Sequence, residues 1–283
     1  MKENITPCLW YNNQAREAAN LYCAAFENAK ITAQSPIVTA IDVNGQSLTL
    51  LDGGPMYKPN PSISFYYICE KADELDRAWN TLSKEGMVLM PLDKYPWSEK
   101  YGWINDKFGV SWQISLGKLS DVGQKLTPCL MFVGKQYGRA DEAITHYSSI
   151  FKNVNVEGIL RYGKGESPDE EGRIKHAQIS LNNQKFMLME SAAAHQFGFS
   201  EGISLTILCD NQDEIDYYWE KLTESGQESM CGWLKDKFGV SWQIIPSIMG
   251  SIMTDPAKAG KAAQAFMSMR KLNIEQIVQA SLA

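Results

Sequence analysis

Histidine is scarce in this sequence. The three present, His146, His176 and His195, all fall in the second half of 283 residues, so a histidine-based metal site confined to the first half is excluded. The six cysteines, Cys8, Cys23, Cys69, Cys129, Cys209 and Cys231, include no C-x-x-C pair. That scatter does not match a zinc-binding or thioredoxin-like pattern, and reduced, buried thiols are expected. No apolar run approaches the roughly 18 residues of a membrane helix. MKENITPCLW has no secretion-signal core, so a soluble, cytoplasmic protein without a membrane partner is expected. A positive excess is missing too: Lys and Arg number 27 against 33 Asp and Glu, a net charge of −6. That balance argues against a nucleic-acid partner. No acidic or basic tail exists, since residues 1–124 hold 11 basic against 14 acidic side chains and residues 125–283 hold 16 against 19. A glycine-rich strand–loop–helix of the nucleotide-binding kind is also lacking.

What the chain does have is 44% hydrophobic residues, enough for a packed core, and a length that fits two domains. It also repeats itself. Thr6-Pro7-Cys8-Leu9 returns as Thr127-Pro128-Cys129-Leu130, the helical stretch from Ala15 returns from Ala140, and Trp79…Gly86 returns as Trp219…Gly226. GWINDKFGVSWQI at 102–114 returns as GWLKDKFGVSWQI at 232–244, identical at 11 of 13 positions. Collinear matches of this kind mark a duplication: copy one at 1–120, copy two at 121–246, and a helical C-terminal extension at 247–283. Drift in the offset places 13 extra residues of copy two around the exposed 163–173 loop, and 10 extra residues of copy one between Gly86 and Gly102.

Within each copy the periodicity predicts βαβββ twice, an α+β class. Asn13 is placed to cap the first helix, Asn44-Gly45 to turn a hairpin, and Gly86 to end the second helix as its C′ residue. Asp106-Lys107-Phe108-Gly109 reads as a turn in which the aspartate caps and the glycine is free to take positive φ.

This arrangement, with ITPCLWYNNQAREAANLY, LDGGP at 51–55 and GW..DKFGVSWQI, resembles the vicinal oxygen chelate superfamily of glyoxalases, bleomycin-resistance proteins and dioxygenases. It is most similar to the PhnB-like branch, often labelled demethylubiquinone 3-methyltransferase. The resemblance implies tandem glyoxalase-like domains, each of two βαβββ modules curled around a cavity, and an intramolecular pseudo-dimer, with or without a further homodimer. Metal-dependent members of the superfamily place His or Glu at a few strand positions. The last-strand Glu falls here on Gln113 and Gln243, the first-strand His near Thr6-Pro7 or Thr127-Pro128, and the third near Ser62 or Gly202. Neutral amides and hydroxyls are poor ligands for a divalent cation, so no metal and no other cofactor is expected.

Strand parity picks out the cavity face. Val110, Trp112 and Ile114 share one face, while Ser111 and Gln113 take the other. The candidate ligand-binding residues are therefore Ser64, Tyr66, Ser111 and Gln113 in copy one, with Ser204, Thr206, Ser241 and Gln243 in copy two. The bland alternative is that these groups merely satisfy one another. Trp112 and Trp242 read as core, and Trp103 and Trp233 as half-exposed near a cavity mouth. His176 and Glu190, on adjacent strands of copy two, complete the set as a pair able to converge for acid–base work or metal holding; a surface or strand-pairing histidine is the plainer reading. His195 reads as a loop residue and His146 as a helix residue. The functional expectation is metal-free binding of a small organic molecule. The alternative is a metal-dependent glyoxalase- or dioxygenase-type enzyme active in copy two. Methyl transfer finds no support in these residues.

Overall fold

The computed structural model describes residues 5–283, so the first four residues of the stretch read above for a secretion signal lie outside it. Four βαβββ modules follow one another. The first is β1 (Ile5–Tyr11), α1 (Ala15–Ala25), β2 (Lys30–Gln34), β3 (Val38–Val43) and β4 (Gln46–Asp52). The second is β5 (Ile63–Cys69), α2 (Ala72–Leu82), β6 (Met87–Tyr95), β7 (Ser98–Asn105) and β8 (Ser111–Leu116). A short linker helix, α3 (Leu119–Val122), leads to the third: β9 (Leu126–Val133), α4 (Ala140–Ile150), β10 (Asn155–Arg161), β11 (Ile174–Leu181) and β12 (Gln184–Ser191). The fourth is β13 (Ile203–Cys209), α5 (Gln212–Thr223), β14 (Gln227–Glu228), β15 (Trp233–Lys235) and β16 (Ser241–Pro246). The extension forms α6 (Met249–Thr254), α7 (Pro256–Met267) and α8 (Ile274–Leu282).

The chain divides into two compact units that do not follow the copy boundary. The larger, Pro7–Ile203, holds three modules, and the smaller is built on Ser204–Ala283. In the larger unit the second and third modules share one sheet in the order β10-β11-β12-β9-β5-β8-β7-β6. Its middle is the antiparallel pair β5–β9, with Ser64 opposite Cys129. One sheet is thus assembled from half of each copy. In the smaller unit β13 and β16 run parallel, and β15 and β14 extend that sheet. Met249, Ile252, Ala262, Leu272 and Ile277 of the extension form a separate small core.

The apolar strand face packs on helices, as parity predicts. Trp112 lies 4.9 Å from both Tyr22 and Phe26 and 5.2 Å from Phe65, centre to centre. Its indole N–H donates to Asp106 Oδ2 at 2.9 Å, while the Phe108 and Val110 amides donate to Oδ1. The Tyr22 hydroxyl also donates to Oδ2, so this buried aspartate fastens turn, helix and core together. Asp236 does the same for Phe238, Val240 and Trp242. Gly109 and Gly239 sit at φ +88° and +86°, as the turn reading requires. Asn44-Gly45 turns with both φ positive, and the copy-two turn uses Asn182-Asn183 in the same way.

Two local expectations are corrected. Asn13 adopts φ 58° without capping α1; the Gln14 and Ala15 amides are taken instead by Asp52 Oδ1, from the end of β4. After α2 the left-handed residue is Glu85, at φ 59°, and not Gly86. Gly86 is required for a different reason: a Cβ there would lie 2.5 Å from the Asn105 carbonyl oxygen. Gly226 meets the Lys235 oxygen at 2.3 Å in the same way, with Ser225 left-handed before it. None of the six cysteines is in a disulfide; Cys8, Cys69, Cys129 and Cys209 are buried, and Cys23 and Cys231 half-buried.

Candidate functional site

In the β6–β12 sheet, α2 and α4 cover one face. The other face is a trough, and register fixes what lines it. Ser64 stands beside Ser111, and Tyr66 beside Gln113, across parallel β5 and β8. Trp103 stands beside Gln113, and Tyr101 beside Ser115, across β7. On the other side, Ser64 faces Cys129, which is followed by Met187 on β12. Gln178 lies opposite Met187 on β11, and the alternation places His176 two residues on, on the same face.

The floor is a hydrogen-bonded chain with a definite direction. The Tyr101 hydroxyl donates to Gln113 Oε1 at 2.8 Å, and Gln113 Nε2 donates to Ser64 Oγ at 2.8 Å. The Cys129 thiol takes part in the same cluster, bonded to Gln113 and Ser64. Trp103 Nε1 donates to Ser111 Oγ at 2.7 Å. Burial raises the Cys129 pKa to about 12, so at neutral pH the group is a thiol and not a nucleophilic thiolate. Burial raises the phenols of Tyr66 and Tyr101 as well, keeping both as donors. α3 packs over the middle strands of this face, its Leu119 and Val122 on Tyr66 and Ile68 of β5, Cys129 of β9 and Met187 of β12. Next to α3 lies an open groove of about 460 Å³ lined by Asp121, Glu157, Gly158, Ile159, Leu160, His176 and Gln178. His176 is half-buried there, and desolvation lowers its pKa, favouring the neutral imidazole.

Ser64, Tyr66, Ser111, Gln113 and His176 therefore share one sheet face. Glu190 does not. Leu188 is paired with Ala177, so Glu190, two residues on, points to the helix side, away from His176. Its carboxylate is spent on backbone: Oε1 accepts from the Ala140 amide at 2.9 Å and Oε2 from the Ile174 amide at 2.7 Å. It caps α4 as its copy-one counterpart Asp52 caps α1, and the proposed His176–Glu190 convergence is corrected accordingly. The remaining candidates lie in the smaller unit. There Gln243 Nε2 donates to Ser204 Oγ at 2.9 Å, Thr206 stands beside Gln243, and the Ser241 hydroxyl is buried without a hydrogen-bond partner.

Sequence reasoning missed two groups. Tyr101 was unmarked because its copy-two counterpart is Cys231, so no repeat pointed to it. The tip of the β6–β7 hairpin carries an aromatic cluster in which Tyr95 stacks on Trp97 at 5.1 Å, and both meet Tyr101 edge-on. His195, read as a loop residue, places Nε2 2.9 Å from Ser191 Oγ at the end of β12.

The pattern described as 3-demethylubiquinone-9 3-methyltransferase matches residues 3–115 and 124–245, one stretch per copy. The chain belongs to that family. A PhnB protein of Bacillus cereus is 33% identical over 40% of this chain and 99% of its own, with a TM-score of 0.38. A Staphylococcus aureus protein is 32% identical over 40% of this chain and 96% of its own, with a TM-score of 0.19. Glyoxalase I from Zea mays is 12% identical but covers 85% of this chain and 91% of its own at a TM-score of 0.57, a likeness of fold. No curated protein matches. The duplication expected from the repeats, and the PhnB-like glyoxalase fold that the resemblance implies, are thus the ones found. No helix among the described residues is long and apolar enough to cross a membrane.

The metal that glyoxalase-fold relatives imply is a poor fit to this family member's trough. At the last-strand position both ends of the Gln113 amide are engaged, by Tyr101 and Ser64. The neighbouring donors are serine hydroxyls and a protonated thiol, and none is a carboxylate or imidazole. Among the described residues no group of three His, Cys, Asp or Glu side chains is arranged to hold an ion.

Proposed function

We propose that this PhnB-like protein binds a small organic molecule, without a metal, in the trough of the β6–β12 sheet. The observation that carries the reading is the open groove of about 460 Å³ on the face that also bears His176 and the polar floor. That volume lies within the ~300–1,000 Å³ range of ligand pockets. Its lining combines apolar Ile159 and Leu160 with a few convergent polar groups, as orienting sites do. The neutral His176 imidazole and the Gln178 amide, beside the carboxylates of Asp121 and Glu157, suit hydrogen bonding to a modestly polar ligand. The enzyme alternative in copy two is weaker because His176 lacks the carboxylate partner expected for it, Glu190 being held as a helix cap. Methyl transfer remains the description of a family.

A fragment screen followed by NMR, with His176→Ala and Gln178→Ala as site variants, tests the reading. Fragments are expected to perturb trough resonances and to lose affinity at least fivefold in one variant. A screen with no trough binder would sink the proposal. Elemental analysis finding about one Mn, Fe, Ni or Zn per chain would overturn its metal-free part.

A further inference from the structure

A hydroxyl and an imidazole meet where β12 ends. Ser191 Oγ lies 2.9 Å from His195 Nε2, within the reach that a nucleophile and its general base require. The local chain sets this contact. A tight turn, in which the His195 amide donates to the Ala193 carbonyl at 2.7 Å, folds the ring back over the strand end. The Ala193 amide points at Ser191 Oγ, at 3.4 Å. Between them, the Ala192 amide donates to Asp169 Oδ1 at 2.7 Å, which ties the strand end to the insertion of copy two. The Asp169 charge also acts on the His195 ring, so hydroxyl, imidazole and carboxylate are gathered at one place. Ser191 and His195 are both half-buried, and desolvation, with Asp169 opposing, keeps the ring in the neutral form that can accept a proton.

The duplication supplies an internal comparison. Asp52 is the counterpart of Glu190, so Ser191 stands where copy one has Gly53. Asp169 belongs to the insertion that copy one lacks, and copy one has no histidine. The module closes there without the contact, so the fold does not require it. The surroundings narrow the substrate. Ala192, Ala193 and Ala194 put little bulk around the hydroxyl, the Phe197 ring lies 4.8 Å from the imidazole, and the Asp169 carboxylate disfavours an anion.

We propose that Ser191 is a nucleophile served by His195 as general base, and that copy two takes acyl groups from small, uncharged carboxylic esters. Ser191 Oγ bonds to the acyl carbon as its proton passes to His195 Nε2. The ester C–O bond then breaks, and that proton leaves with the alcohol. Water, giving a proton to the same nitrogen, releases the acid and restores the serine. The reaction needs neither a metal nor a ligand in the trough.

The test treats the full chain with p-nitrophenyl acetate, follows nitrophenolate release, and maps the acetyl group by peptide mass spectrometry. Wild type is expected to carry acetyl on Ser191. Ser191→Ala loses that label, and His195→Gln acquires it at least about a hundredfold more slowly, the contribution of a general base, while both melt as wild type does. Asp169→Asn, which can still accept the Ala192 amide, slows labelling and lowers the ring pKa of His195 measured by NMR. The wild-type map is decisive by itself: acetyl found only on lysines or other side chains overturns the proposal. Labelling of Ser191 at an unchanged rate in His195→Gln overturns it as well, leaving the pair as a loop tie.

Discussion

Gln113 bridges two strands by donating to Ser64 at 2.8 Å, and Gln243 repeats the bond to Ser204 at 2.9 Å in the other copy. In copy one both ends of the amide are engaged, since Tyr101 donates to its oxygen. Gln113→Leu strands two buried hydroxyls and is expected to cost about 1–3 kcal/mol in denaturant unfolding. Gln113→Glu keeps acceptors for both, yet buries a carboxylate. Its folded-state pKa is expected to rise, so the variant should lose stability as pH increases above the ordinary glutamate value of about 4.3. An identical unfolding midpoint at pH 5 and pH 8 would contradict this.

Glu190 is expected to behave as a cap and not as an acid or base. Glu190→Ala frees the buried Ala140 and Ile174 amides and should lower stability by about 1–3 kcal/mol. Asp52→Ala should act in the same direction at α1. If Glu190→Ala leaves stability unchanged but shifts the titration of His176, the capping role is wrong.

The His176 imidazole is predicted to titrate below the ordinary value of about 6.5, because desolvation disfavours its charged form. His195 shifts the same way, from burial, with Asp169 opposing. Just below pH 6.5 the unfolded chain binds protons that the folded chain does not. The stability these groups contribute is therefore complete above that pH and is lost as pH falls through the folded-state values. Proton NMR of the ring resonances measures this directly; a midpoint above 6.5 for His176 would refute it. Ring resonances of His176→Gln assign the peak.

Gly86→Ala should cost about 1–3 kcal/mol, since its Cβ would overlap the Asn105 carbonyl at 2.5 Å. Glu85→Gly should gain a few tenths of a kcal/mol, relief of the left-handed strain (~1 kcal/mol) being partly offset by a freer unfolded chain. Thermal unfolding of the two variants with shifts of the same sign would contradict this assignment.

The modules and the inner strand faces were readable because period-2 and period-3.6 patterns and an internal repeat are local signals. Ser64, Ser111 and Gln113 could be placed on one face by counting residues. The helix caps could not, because Asp52 and Glu190 act across 37 and 50 residues on amides that no spacing marks. Glu190 instead attracted a chemical reading by standing near His176 in the strand order. Nor could Tyr101 be recognised: its role depends on register between β7 and β8, and duplication, the strongest clue elsewhere, is silent where one copy has tyrosine and the other cysteine.

The pairing of β5 with β9 joins strands from different copies. A chain severed between the two would leave both strands with bare backbone donors and acceptors along an edge, a surface prone to recruit another molecule. Covalent linkage turns that association into an internal event, insensitive to dilution. It also lets the two halves of the trough change independently, so that one can acquire an aromatic hairpin and the other a histidine without either having to work opposite its own twin.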